Sequence, residues 1–183
     1  DDKDGMRKDN TLSDRVFTNL YLNWSIMKDL LFRTTLGIDV ENNRNGFFCD
    51  INSLQGGGVA SQSSKSHNTN RKLVWENVLT YSKDFDIHSF QAMGGTSTVI
   101  NKIEYTGAWG KKQTYPGNEF HNLGSNQSEK DIDSSLTESQ LASFFGRVNY
   151  KLLDRYMLTA SLRADGASVF ADGHKWGYFP SVA

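Results

Sequence analysis

The amino-acid sequence predicts an all-β protein, a part of an antiparallel transmembrane β-barrel with about seven strands. Three observations predict it. Apolar and polar residues alternate along seven segments, short and long connections alternate between these segments, and aromatic residues lie beside the short connections. Alternation with period two is typical of strands with two different faces. Outer-membrane barrels join their strands by short turns on one side and long loops on the other.

Composition excludes several classes of function. The 183 residues carry a net charge of −1, which disfavours a nucleic-acid partner. Cys49 is the only cysteine, so an intramolecular disulfide and a cysteine-cluster metal site are excluded. The four histidines have no metal-ligand spacing, and no catalytic constellation emerges. We therefore expect no enzyme activity, no metal and no cofactor.

The first four segments form two pairs with short connections. Segments one and two place these residues on apolar faces: Val16, Leu20, Leu22, Trp24 and Ile26, then Leu30, Phe32, Leu36, Ile38 and Val40. Segments three and four do the same with Leu73, Trp75, Leu79 and Tyr81, then Phe90, Ala92 and Ile100. The short connections fall near residues 27–29 and in "SKDFDI". Turn-forming composition predicts long extracellular loops over about residues 43–71 and 102–140.

Segments five and six lie in "GRVNYKLLDRYMLTASLRADG", and a seventh begins at Trp176. Pairing around Leu153 puts Tyr150 and Tyr156 on one face. The apolar face then holds Phe144, Gly146, Val148, Tyr150, Tyr156, Leu158, Ala160 and Leu162. The opposite, polar face holds Arg147, Asn149, Arg163 and Asp165, which we expect to line the lumen.

Aromatic residues fall into two groups. Trp24, Tyr81, Tyr150 and Tyr156 lie on apolar faces near short turns, as in the aromatic girdle at a lipid interface. A second group lies in the predicted loops: Phe47, Phe48, Trp109, Tyr115 and Phe120. These five either contact a ligand or a lid protein, or hold the long loops together. The acidic run "EKDIDSS" lacks the spacing of a calcium loop and is interpreted as a solvated loop.

Seven strands are too few to close a membrane barrel, because the smallest have about eight. An open ribbon would leave unpaired edges, which lipid does not tolerate. The chain is therefore interpreted as part of a larger barrel. A soluble all-β carbohydrate-binding module is the alternative, and it would bury Leu22, Trp75 and Leu158 in a core of its own.

Residues 141–183, "LASFFGRVNYKLLDRYMLTASLRADGASVFADGHKWGYFPSVA", carry a family resemblance. They resemble the SusC/RagA-type TonB-dependent transporters, as do "NLYLNW", "LLFRTTLGIDV" and "WENVLTYSKDFDIHSFQAMGG" upstream. Val169 departs from the arginine that members often have, which affects only a loop contact.

The resemblance implies a bacterial outer-membrane barrel of about 22 strands with a plugged lumen. Residues 1–183 would be part of its barrel domain, with the plug, the TonB-interacting motif and the closing strand outside them. Arg147, Asn149, Arg163 and Asp165 would then face the plug or the substrate. The implied partners are a SusD-like surface lipoprotein, the TonB complex, outer-membrane lipid and an imported glycan or, in some members, a peptide.

Overall fold

The computed structural model describes residues 6–171 and 173–183. In these residues it has seven strands, β1 (Arg7–Met27), β2 (Leu30–Cys49), β3 (Gln62–Phe85), β4 (His88–Gln113), β5 (Asn126–Leu152), β6 (Tyr156–Ala167) and β7 (Trp176–Val182). Two single-turn 3-10 helices, Pro116–Asn118 and Leu123–Ser125, lie between β4 and β5. None of the described residues belongs to a helix long and apolar enough to cross a membrane.

All seven strands form one antiparallel sheet in chain order, from β1 to β7. The short connections are residues 28–29, 86–87 and 153–155, which confirms all three predicted turns. Asp86, Leu153 and Asp154 adopt positive φ angles of 52°, 54° and 55°. Such angles are common in tight hairpin turns, because they match the turn to the twist of the flanking strands.

Pairing between β5 and β6 confirms the predicted division into two faces. Tyr150 lies opposite Leu158, and Leu152 lies opposite Tyr156, so the two tyrosines share a face. Phe144, Gly146 and Val148 lie opposite Ala164, Leu162 and Ala160 on that same face. The other face pairs Ser143 with Asp165, Phe145 with Arg163, Arg147 with Ser161 and Asn149 with Thr159.

The predicted loop bounds of 43–71 and 102–140 are wrong. Strand structure extends to Cys49 and resumes at Gln62, and it extends to Gln113 and resumes at Asn126. Only residues 50–61 and 114–125 lie outside the strands there. Polar residues fill the extensions, where cross-strand contacts such as the hydrogen bond from Thr69 Oγ1 to Asn42 Oδ1 (3.0 Å) stabilise pairing without an apolar face.

The chain divides into two compact units. The first unit contains the described residues up to Val16 together with 40–71 and 102–137. The buried hydrophobic residues of the described chain all lie in this unit: Phe48, Cys49, Ala60 and Phe120. Residues 50–61 and 114–125 therefore belong to a small core of their own.

The second unit contains residues 17–39, 72–101 and 138–183. Its described residues include buried Ser97 and Ser143 but no buried hydrophobic side chain. Leu22, Trp75 and Leu158 are 61%, 52% and 53% exposed. A soluble module would bury them, because burial of apolar side chains is the main driving force of folding in water. The alternative interpretation, a soluble carbohydrate-binding module with these residues in its core, is therefore wrong.

Candidate functional site

Residues 114–125 pack as an ordered loop on the first unit. Phe120 is buried beside Gly46, where a Cβ atom would overlap the phenyl ring. The side-chain amide of Gln113 donates to the carbonyl oxygens of Glu119 (2.7 Å) and Asn122 (3.3 Å). Glu119 also forms an ion pair with Lys8. These contacts fix the loop on the strands.

A buried polar pair also ties β3 to the start of β5. The Asn126 side-chain amide donates to Ser63 Oγ (2.8 Å), and the Ser63 hydroxyl lies 3.0 Å from Asn126 Oδ1. Both residues are only 1% exposed. Buried polar groups are costly unless they are paired, so this pair fixes the relative position of two strands that are not neighbours in the sheet.

The five loop aromatics separate into buried and accessible residues. Phe48 and Phe120 are 3% and 8% exposed and form the loop core, in agreement with the predicted role of holding the long loops together. Trp109 and Tyr115 are 41% and 69% exposed. Phe47 is half-buried, with the Arg7 guanidinium 5.6 Å from its ring centroid. Three of the five therefore remain accessible to a partner.

Trp109 borders an open cleft of about 550 Å³. Tyr105, Asp131 and Asp133 also line this cleft. Beside it, the Lys111 ammonium lies 5.9 Å from the Trp109 ring centroid and 2.6 Å from the Glu129 carboxylate. The cleft thus combines an aromatic ring with two carboxylates that accept hydrogen bonds, and Lys65 lines it as well.

Sequence reasoning missed Asp131 and Asp133. They belong to the run interpreted as a solvated loop, but that run lies in β5. Glu129, Asp131 and Asp133 occupy alternate positions, which is the signal of a strand. Their proximity to Trp109 depends on the register between β4 and β5, which the local sequence does not contain.

The predicted polar face of the second unit contains a compact hydrogen-bond network. Arg163 Nε donates to both oxygens of Asp165 (2.8 and 2.9 Å), and Arg163 also donates to Ser143 Oγ (3.1 Å). The guanidinium lies 5.7 Å from the centroid of the Phe145 ring. The network holds Arg163 in one orientation on this face.

Asn149 belongs to a separate part of that face. Its amide donates to Gln91 Oε1 (3.1 Å), and it accepts a hydrogen bond from Thr159 Oγ1 (3.0 Å). Arg147 is exposed. The structure therefore brings Arg163 and Asp165 together but leaves Asn149 and Arg147 outside their network. Contact of all four with a plug or a substrate stays a prediction.

The predicted interface aromatics all lie in the second unit. Trp24 and Tyr156 are 61% and 65% exposed. The Tyr81 ring is 6.4 Å from that of Phe90, and a hydrogen bond of 2.6 Å joins the Tyr150 hydroxyl to His88 Nδ1. Their contact with lipid stays a prediction.

The metal-ligating side chains of the described residues do not cluster on either unit. Within residues 6–171 and 173–183, no group of three or more histidine, cysteine, aspartate or glutamate residues is placed to hold a metal ion.

Comparison with known proteins identifies the family. No family model matches the chain. It is 33% identical over 177 residues to TonB-dependent receptor P3 of Formosa agariphila, across 96% of this chain and 18% of that protein. It is also 51% identical over 47 residues to TonB-dependent receptor SusC of Bacteroides thetaiotaomicron, across 26% of this chain. The chain is thus similar along almost its whole length to TonB-dependent receptors, and over 47 residues to SusC, as expected of a fragment of a SusC-like transporter.

Solved structures show the same fold. The RagAB peptide transporter matches 97% of this chain with a TM-score of 0.90 at 20% identity. The siderophore receptor PiuA of Acinetobacter baumannii matches 96% with a TM-score of 0.56 at 10% identity. The chain spans about a fifth of the length of these SusC-like relatives. The predicted resemblance and the predicted fold class, a segment of a transporter barrel, are both confirmed.

Proposed function

We propose that the chain is part of the wall of an outer-membrane barrel that imports a large nutrient, driven by the TonB complex. One observation carries this proposal: a sheet with one apolar and one polar face, in a chain similar along 96% of its length to a TonB-dependent receptor. Exposed apolar side chains suit contact with lipid, and the polar face suits a water-filled or plugged lumen. The relatives carry the names of receptors and transporters, in keeping with a role that involves no catalysis.

The substrate that we propose is an oligosaccharide. The Trp109 ring offers an apolar surface for the C–H face of a sugar, and the carboxylates of Asp131 and Asp133 accept hydrogen bonds from hydroxyl groups. Ligand sites commonly combine apolar surface with a few polar groups that fix orientation. The RagAB transporter carries peptides, so a peptide is the competing substrate.

A SusD-like lipoprotein is the proposed partner at the loops. Tyr115 lies directly before the Pro116–Asn118 turn and is 69% exposed, on a loop that Gln113 and Phe120 hold in place. An exposed aromatic residue on an ordered loop suits a protein interface, because little conformational freedom is lost on binding. We therefore propose that Tyr115 contacts the lipoprotein and that Trp109 contacts the oligosaccharide.

The test uses the full-length transporter purified with its lipoprotein. Isothermal titration with an oligosaccharide library and a peptide library identifies the substrate class. Trp109→Ala should weaken oligosaccharide binding about tenfold, the scale of an aromatic hot spot, and leave lipoprotein binding unchanged. Tyr115→Ala should show the opposite pattern.

Three results would contradict parts of the proposal. Binding of peptides but not of oligosaccharides would refute the oligosaccharide as substrate and support a peptide instead. Equal uptake in cells with and without TonB would refute energised import. A transporter that binds neither library but still requires TonB would leave the barrel assignment intact and overturn only the assigned ligand site.

A further inference from the structure

A row of basic and polar residues follows the apolar residues along one face of β3. Leu73, Trp75, Leu79 and Tyr81 occupy alternate positions, and Arg71, Thr69, His67 and Lys65 continue the same alternation away from the turn. Successive side chains of a strand point to opposite faces, so alternate residues share one face. We name Lys65, His67, Thr69 and Arg71 the basic row.

Contacts with β2 show that the alternation is not shifted along the strand. The Asp29 carbonyl oxygen accepts a backbone hydrogen bond from Ser82 N–H, and the side-chain oxygen of Asn42 accepts a hydrogen bond from the Thr69 hydroxyl. These contacts are thirteen residues apart on β2 (29 to 42) and thirteen on β3 (69 to 82). A bulge would make the two intervals unequal. The basic row therefore shares its face with the apolar residues.

The height of the apolar band locates the start of the row. A strand rises about 3.3 Å per residue and is tilted by about 40° in a membrane barrel, which gives about 2.5 Å of height per residue. An apolar band about 25 Å tall thus takes about ten residues. Ten residues from Tyr81, at the predicted interface near the turn, the strand reaches Arg71. The row begins where the band ends, at the level of the outer-leaflet headgroups.

The basic row forms one side of an open cleft of about 560 Å³. Glu104, Thr106 and Leu123 line its other side. The described residues offer neither Lys65 nor Arg71 an ion-pair partner, and both are exposed. Two cations face one carboxylate, so the cleft has a net positive charge. Between the two cations in the chain, a hydrogen bond of 3.2 Å joins Thr69 Oγ1 to His67 Nε2.

We propose that this cleft binds a phosphorylated lipid headgroup of the outer leaflet. The inference rests on the proposed membrane placement of β3. Phosphate oxygens match the Arg71 guanidinium, which donates two parallel hydrogen bonds, and the Lys65 ammonium, which acts as a point charge. About six residues of strand, roughly 20 Å, separate the two cations, so they suit a headgroup with more than one phosphate.

Nanodiscs test the proposal with the full-length transporter. One set contains phosphatidylcholine alone, and the other contains equal parts of phosphatidylcholine and diphosphorylated lipid A. Native mass spectrometry then measures the lipid A that remains bound after release from the nanodisc. Arg71→Gln should lower retention about fivefold and the Lys65→Gln/Arg71→Gln double variant about 25-fold, because each basic residue near an anionic surface contributes about that factor.

Lys72→Gln is the matched control. Lys72 is the neighbour of Arg71 in the chain, is exposed and lies on the opposite face of β3, so its loss removes the same charge from the other side. Unchanged retention in Lys72→Gln supports the proposal. Equal losses in Lys72→Gln and Arg71→Gln, or no loss in the double variant, would overturn it. Displacement of lipid A by inorganic phosphate would also overturn it, because the cleft would then bind free anions.

Failure of the membrane placement gives a different result. A transporter that inserts into neither set of nanodiscs, judged by its heat-modifiable mobility on gels, would refute the barrel itself. Insertion into both sets with no difference between wild type and the double variant would refute only the lipid site.

Discussion

Leu162 offers the sharpest test of which solvent meets the apolar face. It is 55% exposed on β6, opposite Gly146, and six residues from Tyr156. At about 2.5 Å of height per residue, Leu162 lies about 15 Å from Tyr156, near the middle of an apolar band about 25 Å tall. Leu162→Arg should therefore lower the free energy of unfolding by about 2–4 kcal/mol in a membrane.

The same substitution in water has a much smaller expected effect. A surface substitution at a half-exposed site changes stability by only about 0.5 kcal/mol. Ser181→Arg is the control, because Ser181 lies opposite Ser161 on the polar face at nearly the same height. We expect this control to stay within about 1 kcal/mol of wild type, as substitutions on the lumen face do not bury a charge in lipid.

Urea titration of the full-length transporter in phospholipid vesicles, followed by tryptophan fluorescence, measures both variants. A difference of 2 kcal/mol or more between Leu162→Arg and Ser181→Arg supports contact of Leu162 with lipid. Equal losses would refute the division into a lipid face and a lumen face. A loss below about 0.5 kcal/mol for Leu162→Arg would show that water, not lipid, covers this side chain.

Two further predictions concern the loop core. Gly46→Ala should displace Phe120 and cost about 1–3 kcal/mol, seen as faster chymotrypsin cleavage after Phe120 in the 114–125 loop. Gly117→Ala, where a Cβ meets no atom within 4 Å, should leave cleavage unchanged, and equal rates in the two variants would contradict the packing. Asn126→Ala should cost about 1–3 kcal/mol in thermal unfolding, because it leaves the Ser63 hydroxyl buried without its partner. An unchanged melting temperature would show that water replaces the amide.

The faces and turns were predictable from the sequence because they depend on local patterns. Alternation in "RVNYKLLDRYMLTASLR" is sufficient to place Tyr150 and Tyr156 on one face, and the register confirms it. The short turns are likewise encoded by neighbouring residues. A family-like run through residues 176–182 then distinguishes a membrane barrel from a soluble sandwich, which alternation alone does not.

The ends of β2 to β5 were not predictable in the same way. Their residues beyond the apolar band are mostly serine, asparagine, threonine, lysine and glycine, a composition typical of loops. Pairing there depends on contacts between strands, such as Asn42 with Thr69 and Ser63 with Asn126. A prediction from local sequence therefore ends each strand where its apolar residues end, although the hydrogen-bonded pairing of the strands continues further.

Candidate site residues show the same limit. Trp109, Phe48 and Phe120 are all recognisable in the sequence as aromatic residues in polar segments. Their burial is not predictable from that context, because Trp109 is 41% exposed while Phe48 and Phe120 lie in the core. The aspartates of the Trp109 cleft come from a strand more than twenty residues further along the chain. Only register brings them together.

Continuous strands have a consequence for how the two faces work. On β3 the same alternation that gives Leu73 and Trp75 their exposed face also gives Arg71 and Lys65 theirs, without a bulge to turn them inward. Because the period is fixed by the backbone, the face that we assign to lipid must change its chemistry at the height where lipid tails end. Charges placed earlier on that face would cost several kcal/mol, and apolar residues placed later would meet water or headgroups. With the membrane placement that we propose, the change from Leu73 to Arg71 marks the outer edge of the apolar band, and the basic row begins there.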